Sequence, residues 1–254
     1  IRHDARQLSF DKIIFSITFK ELIEKKVISE PLFRSYSTNL TFDVDELKED
    51  SAFNTYVRNN FIADKFIIAN KTFSKTILYV HTVEHAKELA KQISLKNDEI
   101  DDGYELVGYI HGRGNSEKID NKAFLKKFKK AKKAIIVNCG VLTEGYDEPT
   151  VNTIGMCVPT QSIMFYMQCI GRGIRSIDSN DNKSAYIVEF TDILPNIKYR
   201  IDNRWLYSDI SDELEPEVID INFNSKDALS SKFKENDYLT SDTKKQILNN
   251  KDLE

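Results

Sequence analysis

Short apolar runs that alternate with stretches of helical periodicity constrain this chain more than any other feature. The runs are 76–80, 106–110, 134–138, 153–158 and 185–190. After the first, Ala86, Leu89, Ala90 and Ile93 fall on one helical stripe, and within 116–133 Phe124 and Phe128 share a face at i,i+4. A further helix is expected over about 162–170, after the fourth run. Apolar strands separated by amphipathic helices read as an α/β fold, a parallel sheet with helices on both faces. In such sheets a ligand sits beyond the carboxyl ends of the strands.

The flanking segments are less regular. Residues 10–17 read as a short strand, 19–24 as a turn of helix, and Pro31 as a boundary. The polar, acidic stretch 38–50 reads as a linker or surface insertion. Residues 52–70 read as an amphipathic helix with Phe53, Tyr56, Val57 and Phe61 on its apolar side. After Phe190 the rhythm stops, and 195–254 form a polar C-terminal extension. The chain opens at Ile1 without an initiator Met, inside what reads as a structured region, so it is expected to be a piece of a longer protein.

Charge and cysteine usage exclude several classes. A net charge of −4 rules out a histone-like, charge-everywhere mode of binding nucleic acid, although a local basic face is enough to neutralise phosphates. Cys139, Cys157 and Cys169 stand in apolar surroundings with no C-x-x-C pair and no clustered His. They read as buried reduced thiols, with no metal site and a cytoplasmic location. No apolar run approaches the roughly 20 residues of a membrane span, so no membrane partner is expected.

Four segments near the strand ends carry chemistry. In the first, Tyr79-Val-His-Thr82 runs straight into a helix. Thr82 can simply cap that helix, or the free N–H groups there can meet a phosphate. The second is the His111-Gly112 turn, where a glycine permits close approach of a ligand. Six lysines follow between Lys126 and Lys133, either a solvated face or part of a phosphate-tracking surface. In the third, residues 138–149, Thr143, Gly145 and Asp147 offer a hydroxyl, backbone N–H groups and a carboxylate within one short loop. That composition also suits an ordinary turn. The fourth, Gln168-Cys-Ile-Gly171-Arg172-Gly-Ile-Arg175, ends a helix with two arginines three residues apart. Arginine keeps its charge and presents a planar fork to phosphate oxygens.

In this order and spacing, TILYVHTVEHA, VLTEGYDEP and QCIGRGIR resemble motifs IV, V and VI of superfamily 2 helicases. The match is to the C-terminal RecA-like domain of the DEAD/DEAH-type branch that includes restriction translocases and repair helicases. The resemblance covers roughly residues 70–192. It implies a RecA-like sheet over 71–194, with 36–70 a linker and helix and 1–35 the end of a first motor domain and its connector. It implies that Arg172 and Arg175 reach the γ-phosphate of ATP, with Arg175 preferred as the finger, and that Gln168 couples the nucleotide to closure. Gly145, Asp147 and Gly171 would line the nucleotide cleft, and Thr82, His111, Gly112 and Thr143 would touch the nucleic-acid backbone. By analogy with this branch the nucleic acid is expected to be DNA. The G-x-x-x-x-G-K-[ST] loop and the D-E-x-[DH] box, which hold phosphates and magnesium, are assigned to the first motor domain of the same protein. This chain alone is therefore expected to be inactive. The alternative is a non-catalytic helicase-like subunit that binds nucleic acid or a partner.

Overall fold

The computed structural model describes residues 17–42, 52–112, 120–143, 145–176, 183–194 and 201. Among them, six strands form one sheet in the order β1-β6-β5-β2-β4-β3, every neighbouring pair parallel. The strands are β1 Pro31–Thr41, β2 Lys75–Tyr79, β3 Leu106–His111, β4 Ala134–Cys139, β5 Val151–Met156 and β6 Ala185–Ile193. The helices are α1 Phe19–Glu24, α2 Tyr56–Ile68, α3 Val83–Asn97, α4 Asn121–Lys130 and α5 Ile163–Ile170.

Alternation along each strand sends side chains to two cores. On one face Ile77, Tyr79, Ile136, Ile154 and Ile187 meet Phe128 of α4 and Tyr166 and Ile170 of α5. On the other, Leu78, Ile135, Val137 and Val188 meet Ile62 and Phe66 of α2 and Leu89 and Ile93 of α3. The helices start where the chain has a cap. Thr18, Thr55, Thr82, Asp120 and Ser162 each accept a backbone N–H from their own first turn. In α1, Glu21 answers Thr18 to close a capping box.

Three sequence expectations are changed. The stretch from Thr38, expected as linker or insertion, begins inside β1, an edge strand paired to β6 alone. Its single partner tolerates the mixed, polar pattern that hides it. The buried side of α2 keeps only part of the predicted stripe: Phe53, just before the helix, is buried and Phe61 packs partly buried against the core. Tyr56 and Val57 are 73% and 63% exposed, while Arg58, Asn59, Ile62, Ala63 and Phe66 are buried. The two differ because the first turn of α2 directs two polar residues inward, each satisfied there by a distant partner. Helix α4 ends at Lys130, so the Lys-rich helix expected as far as Lys133 stops short of Lys132 and Lys133. The strand expected at 10–17 and the extension 195–254 lie outside the described residues, apart from Ile17 and Ile201. Ile201 is buried and donates its N–H to Thr160 O at 2.7 Å.

Candidate functional site

The predicted residues do not gather at one strand end; the structure divides them between the two ends of the sheet. At the carboxyl end, Cys139 Sγ contacts His81 O at 3.2 Å, joining the ends of β2 and β4. Gly112 donates its N–H to Cys139 O at 3.3 Å, which joins β3 to them. A Cβ on Gly112 would stand 3.4 Å from Val141 Cγ2 and 3.5 Å from Gly140 O, so the two turns lie against each other. Thr82 is the N-cap of α3, its Oγ1 accepting from His85 N at 3.1 Å. Its hydroxyl thus has the capping role, and the exposed side chain beside it is His81.

His111 is buried at the tip of β3, its ring stacked 6.3 Å from that of Tyr109, and neither ring nitrogen has a hydrogen-bond partner. Its carbonyl accepts from Asn121 Nδ2 at 2.9 Å, which ties the turn to the start of α4. The lysines at the end of the 126–133 run do not join this group. Lys129 O accepts from Lys75 Nζ at the start of β2, Lys132 N–H meets the Glu105 carboxylate, and Lys133 pairs with Asp102 before β3. The last turn of α4 therefore sits at the amino end of the sheet, and these lysines lie across the molecule from Thr82 and Gly112.

The loop 140–150 travels the length of the sheet, from the carboxyl end of β4 to the amino end of β5. Its start is fixed by Asn138 Oδ1, which accepts from Val141 N and Leu142 N at 3.2 and 3.1 Å. Its far end is fixed by Glu148, buried between Lys75 Nζ at 3.8 Å and Thr150 Oγ1 at 2.5 Å. Gly145 takes φ +71°, a conformation that costs a side-chain-bearing residue about 1–2 kcal/mol. That is the structural reason for glycine in the T-E-G-x-D pattern.

The arginine pair closes this loop. Helix α5 carries Gln168 in its last turn and ends at Gly171, whose N–H bonds Met167 O. The chain then turns back so tightly that a Cβ on Gly173 would stand 2.6 Å from Ile154 Cγ1 of β5. Arg172 consequently points along the loop: Nη1 donates to Tyr146 O and Nη2 to Thr143 O, both at 2.7 Å. Arg175, half-exposed, pairs with the Asp147 carboxylate at the amino end of the sheet. Its backbone bridges Ile28, and its carbonyl accepts from Lys183 Nζ, which also bonds Pro149 O and Val151 O. Lys183 has no sequence signal of its own, since it stands in a polar stretch before β6.

Burial governs the titration of the neighbours. Desolvation raises the Tyr79 hydroxyl and the Cys169 thiol well above their ordinary values, and the Arg172 charge opposes this in both. All three cysteines are buried, as expected from their apolar settings, and none of them is in a disulfide. Among the described residues no cluster of His, Cys, Asp and Glu is fit to hold a metal, and no helix is long and apolar enough to cross a membrane. One tetrapeptide, Asp98-Glu99-Ile100-Asp101, does have the D-E-x-D spelling of an acidic box. It caps the end of α3 with Asp98, Glu99 and Asp101 exposed, so it does not stand beyond the carboxyl end of a strand as a box would.

A parallel sheet with helices on both faces, a carboxyl-end cluster of turns and an arginine pair braced on a T-E-G-x-D loop define a RecA-like helicase domain of superfamily 2. Residues 59–176 match the helicase conserved C-terminal domain. It is 29% identical over 201 residues to the provisionally named ATP-dependent helicase IRC3 of Saccharomyces cerevisiae, covering 74% of this chain and 28% of that one. It is 26% identical over 215 residues to a provisionally named mitochondrial ATP-dependent helicase irc3 of Schizosaccharomyces pombe, covering 79% and 33%. The chain thus spans about a third or less of the length of these relatives. Among solved structures, the fold matches a fragment of an HsdR subunit, provisionally assigned, of a type I restriction enzyme from Vibrio vulnificus. The TM-score is 0.60 at 20% identity, over 75% of this chain and 38% of that one.

Proposed function

We propose that this chain is the second motor domain of an ATP-dependent nucleic-acid helicase or translocase. The observation that carries the reading is the loop 140–150, which runs from its anchor on Asn138 near the carboxyl end of β4, through Thr143, to Asp147, paired with Arg175, at the amino end. One short segment therefore serves two ligand faces. In this reading the carboxyl-end turns meet the backbone of the nucleic acid, DNA by analogy with the motif branch, and read no sequence. The amino end meets ATP and magnesium held mainly by the first motor domain of the same protein, which also supplies the phosphate loop and the acidic box.

The residues present suit that division of labour. Asp147 and Arg175 side chains are 65% and 46% exposed, so a carboxylate for a ribose hydroxyl and a guanidinium for a phosphate both face outward. Bound ATP supplies the phosphoryl group and its charge; Arg175 offers the fixed cation that matches charge building on that group. Both have first to exchange their mutual ion pair for the ligand. Gln168 lies on α5 one turn before Arg172 and is assigned the coupling of nucleotide to domain closure.

The test is Arg175→Ala in the longer protein that carries this chain. Turnover of ATP should fall by on the order of a thousandfold while the KM for ATP moves little. Equal losses in kcat and in ATP affinity would reject a finger role. A cytoplasmic location belongs to the same proposal. Because one relative bears a mitochondrial name, fractionation of cells expressing the tagged protein decides between the two compartments.

A further inference from the structure

The motif pattern treats the two arginines as a matched pair, but the structure gives them different surroundings. Arg175 is near the surface and pairs with a carboxylate. Arg172 is half-buried and its fork is already filled from inside the domain, by the carbonyls of Thr143 and Tyr146 at 2.7 Å each. A third carbonyl of the same loop, Leu142 O, accepts from the Tyr79 hydroxyl at 3.3 Å. The Arg172 Nε is buried without a partner, so the base of the guanidinium is turned into the domain and not toward solvent.

The consequence is mechanical. Between Thr143 and Tyr146 stands Gly145 at positive φ, and Gly140 at φ +72° lies just before. Glycines give this loop more backbone freedom than any other residue would. The two Nη atoms of a guanidinium are held rigidly by its planar geometry. Bound to both carbonyls, they set the spacing between the Thr143 and Tyr146 carbonyls. Thr143 follows directly on Leu142, whose N–H is held by Asn138 near the carboxyl end of β4, and Tyr146 is followed directly by Asp147, the partner of Arg175.

We propose that Arg172 is a positioning residue that links the nucleic-acid end of the loop to its nucleotide end. Of the arginine pair, Arg175 alone then answers the phosphate. This rests on the function proposed above and assigns Arg172 a role different from that of a second finger. Lysine cannot replace it, because a single ammonium lacks the fork that spans two carbonyls.

The experiment compares Arg172→Lys, Arg172→Ala and Arg175→Ala in the longer protein. Steady-state ATP turnover is measured against ATP and against a DNA oligonucleotide, with a thermal melt of each variant. Both Arg172 variants should raise the KM for ATP and the half-saturating oligonucleotide concentration together, each roughly tenfold. The help that either ligand gives to binding of the other should shrink by a similar factor. With both ligands saturating, turnover should fall less than about tenfold, against on the order of a thousandfold for Arg175→Ala. If Arg172→Ala instead copies Arg175→Ala, with a collapsed kcat and unmoved half-saturation, Arg172 is a second finger and the positioning role is wrong.

Amide exchange on the 254-residue chain itself separates this inference from the function beneath it. Arg172→Ala should speed exchange at 141–147 while β2 and β4 exchange as before. Unchanged exchange in the loop would overturn the brace whatever the ATPase shows. Wild-type turnover in Arg175→Ala would overturn the motor reading and leave the exchange result standing.

Discussion

Burial and neighbouring positive charge hold His85 uncharged in the native protein. Its ring is sealed between α3 and α2, and its Nε2 donates to Asn59 Oδ1 at 2.9 Å, while Asn59 gives its own amide protons to Asn54. Burial first, then the charges of Arg58 and His81, push its pKa down from 6.5 to about 3. The unfolded chain takes up this proton near pH 6.5, and the folded one refuses it until about pH 3. Between those values the unfolded state binds more protons, so stability falls as pH is lowered through the window. The slope is at most about 1.4 kcal/mol per pH unit for this one group. His85→Gln keeps a donor for Asn59 but does not titrate. Urea midpoints followed from about pH 7 to about pH 4 should therefore fall more steeply for the wild type than for the variant, and parallel curves would refute the assignment.

At the scale of elements, the docking of α2 depends on an ion pair that spans 134 residues of sequence. Arg58 Nε and Nη2 donate to the two oxygens of Asp192 at 3.0 and 2.9 Å, with both side chains almost wholly buried. Thr38 of β1 adds a 2.6 Å bond to the same carboxylate, and Phe53 lies under the guanidinium at 5.1 Å. One carboxylate therefore gathers α2, β1 and β6. Asp192→Asn should destabilise by about 3–5 kcal/mol, because it leaves a cation buried without its counter-charge. The double change Arg58→Met with Asp192→Leu should cost clearly less in the same denaturant titration. A double variant as unstable as the single one would show that packing, not charge, holds the helix. This pair also explains why sequence periodicity misses the polar part of the buried face of α2. An arginine in a hydrophobic pattern argues for solvent, and only its partner on β6 argues otherwise.

At the scale of the molecule, the proposed function makes the sheet a spacer between two ligand faces, with the loop 140–150 and helix α5 running between its two ends. The chain contains no G-x-x-x-x-G-K-[ST] loop, and its one D-E-x-D tetrapeptide caps a helix. The purified 254-residue chain is therefore expected to show no ATPase activity that nucleic acid stimulates, in an assay with both ligands present. Clear turnover by pure material would sink the motor reading in its present form. It would also revive the question of what else in these residues can hold a phosphate.

The alternation of strand and helix, the parallel sheet and the motif positions are legible in the amino-acid sequence without any structure. Each of these is written in local periodicity, caps and spacing, over windows shorter than a helix. Edge strand β1 escapes such a reading because a strand with one neighbour need not be apolar, and the first turn of α2 escapes because polar burial depends on a partner far away. How the motif residues are grouped belongs to the tertiary structure. Gly112 and Cys139 meet at one end of the sheet, and Asp147 and Arg175 at the other. So does the fact that Arg172 and Arg175, three residues apart, face different partners. The tight turn at Gly173 against Ile154 sends one guanidinium into the loop and leaves the other at the surface. Such a division depends on where the chain returns in space, which a spacing of three residues does not encode.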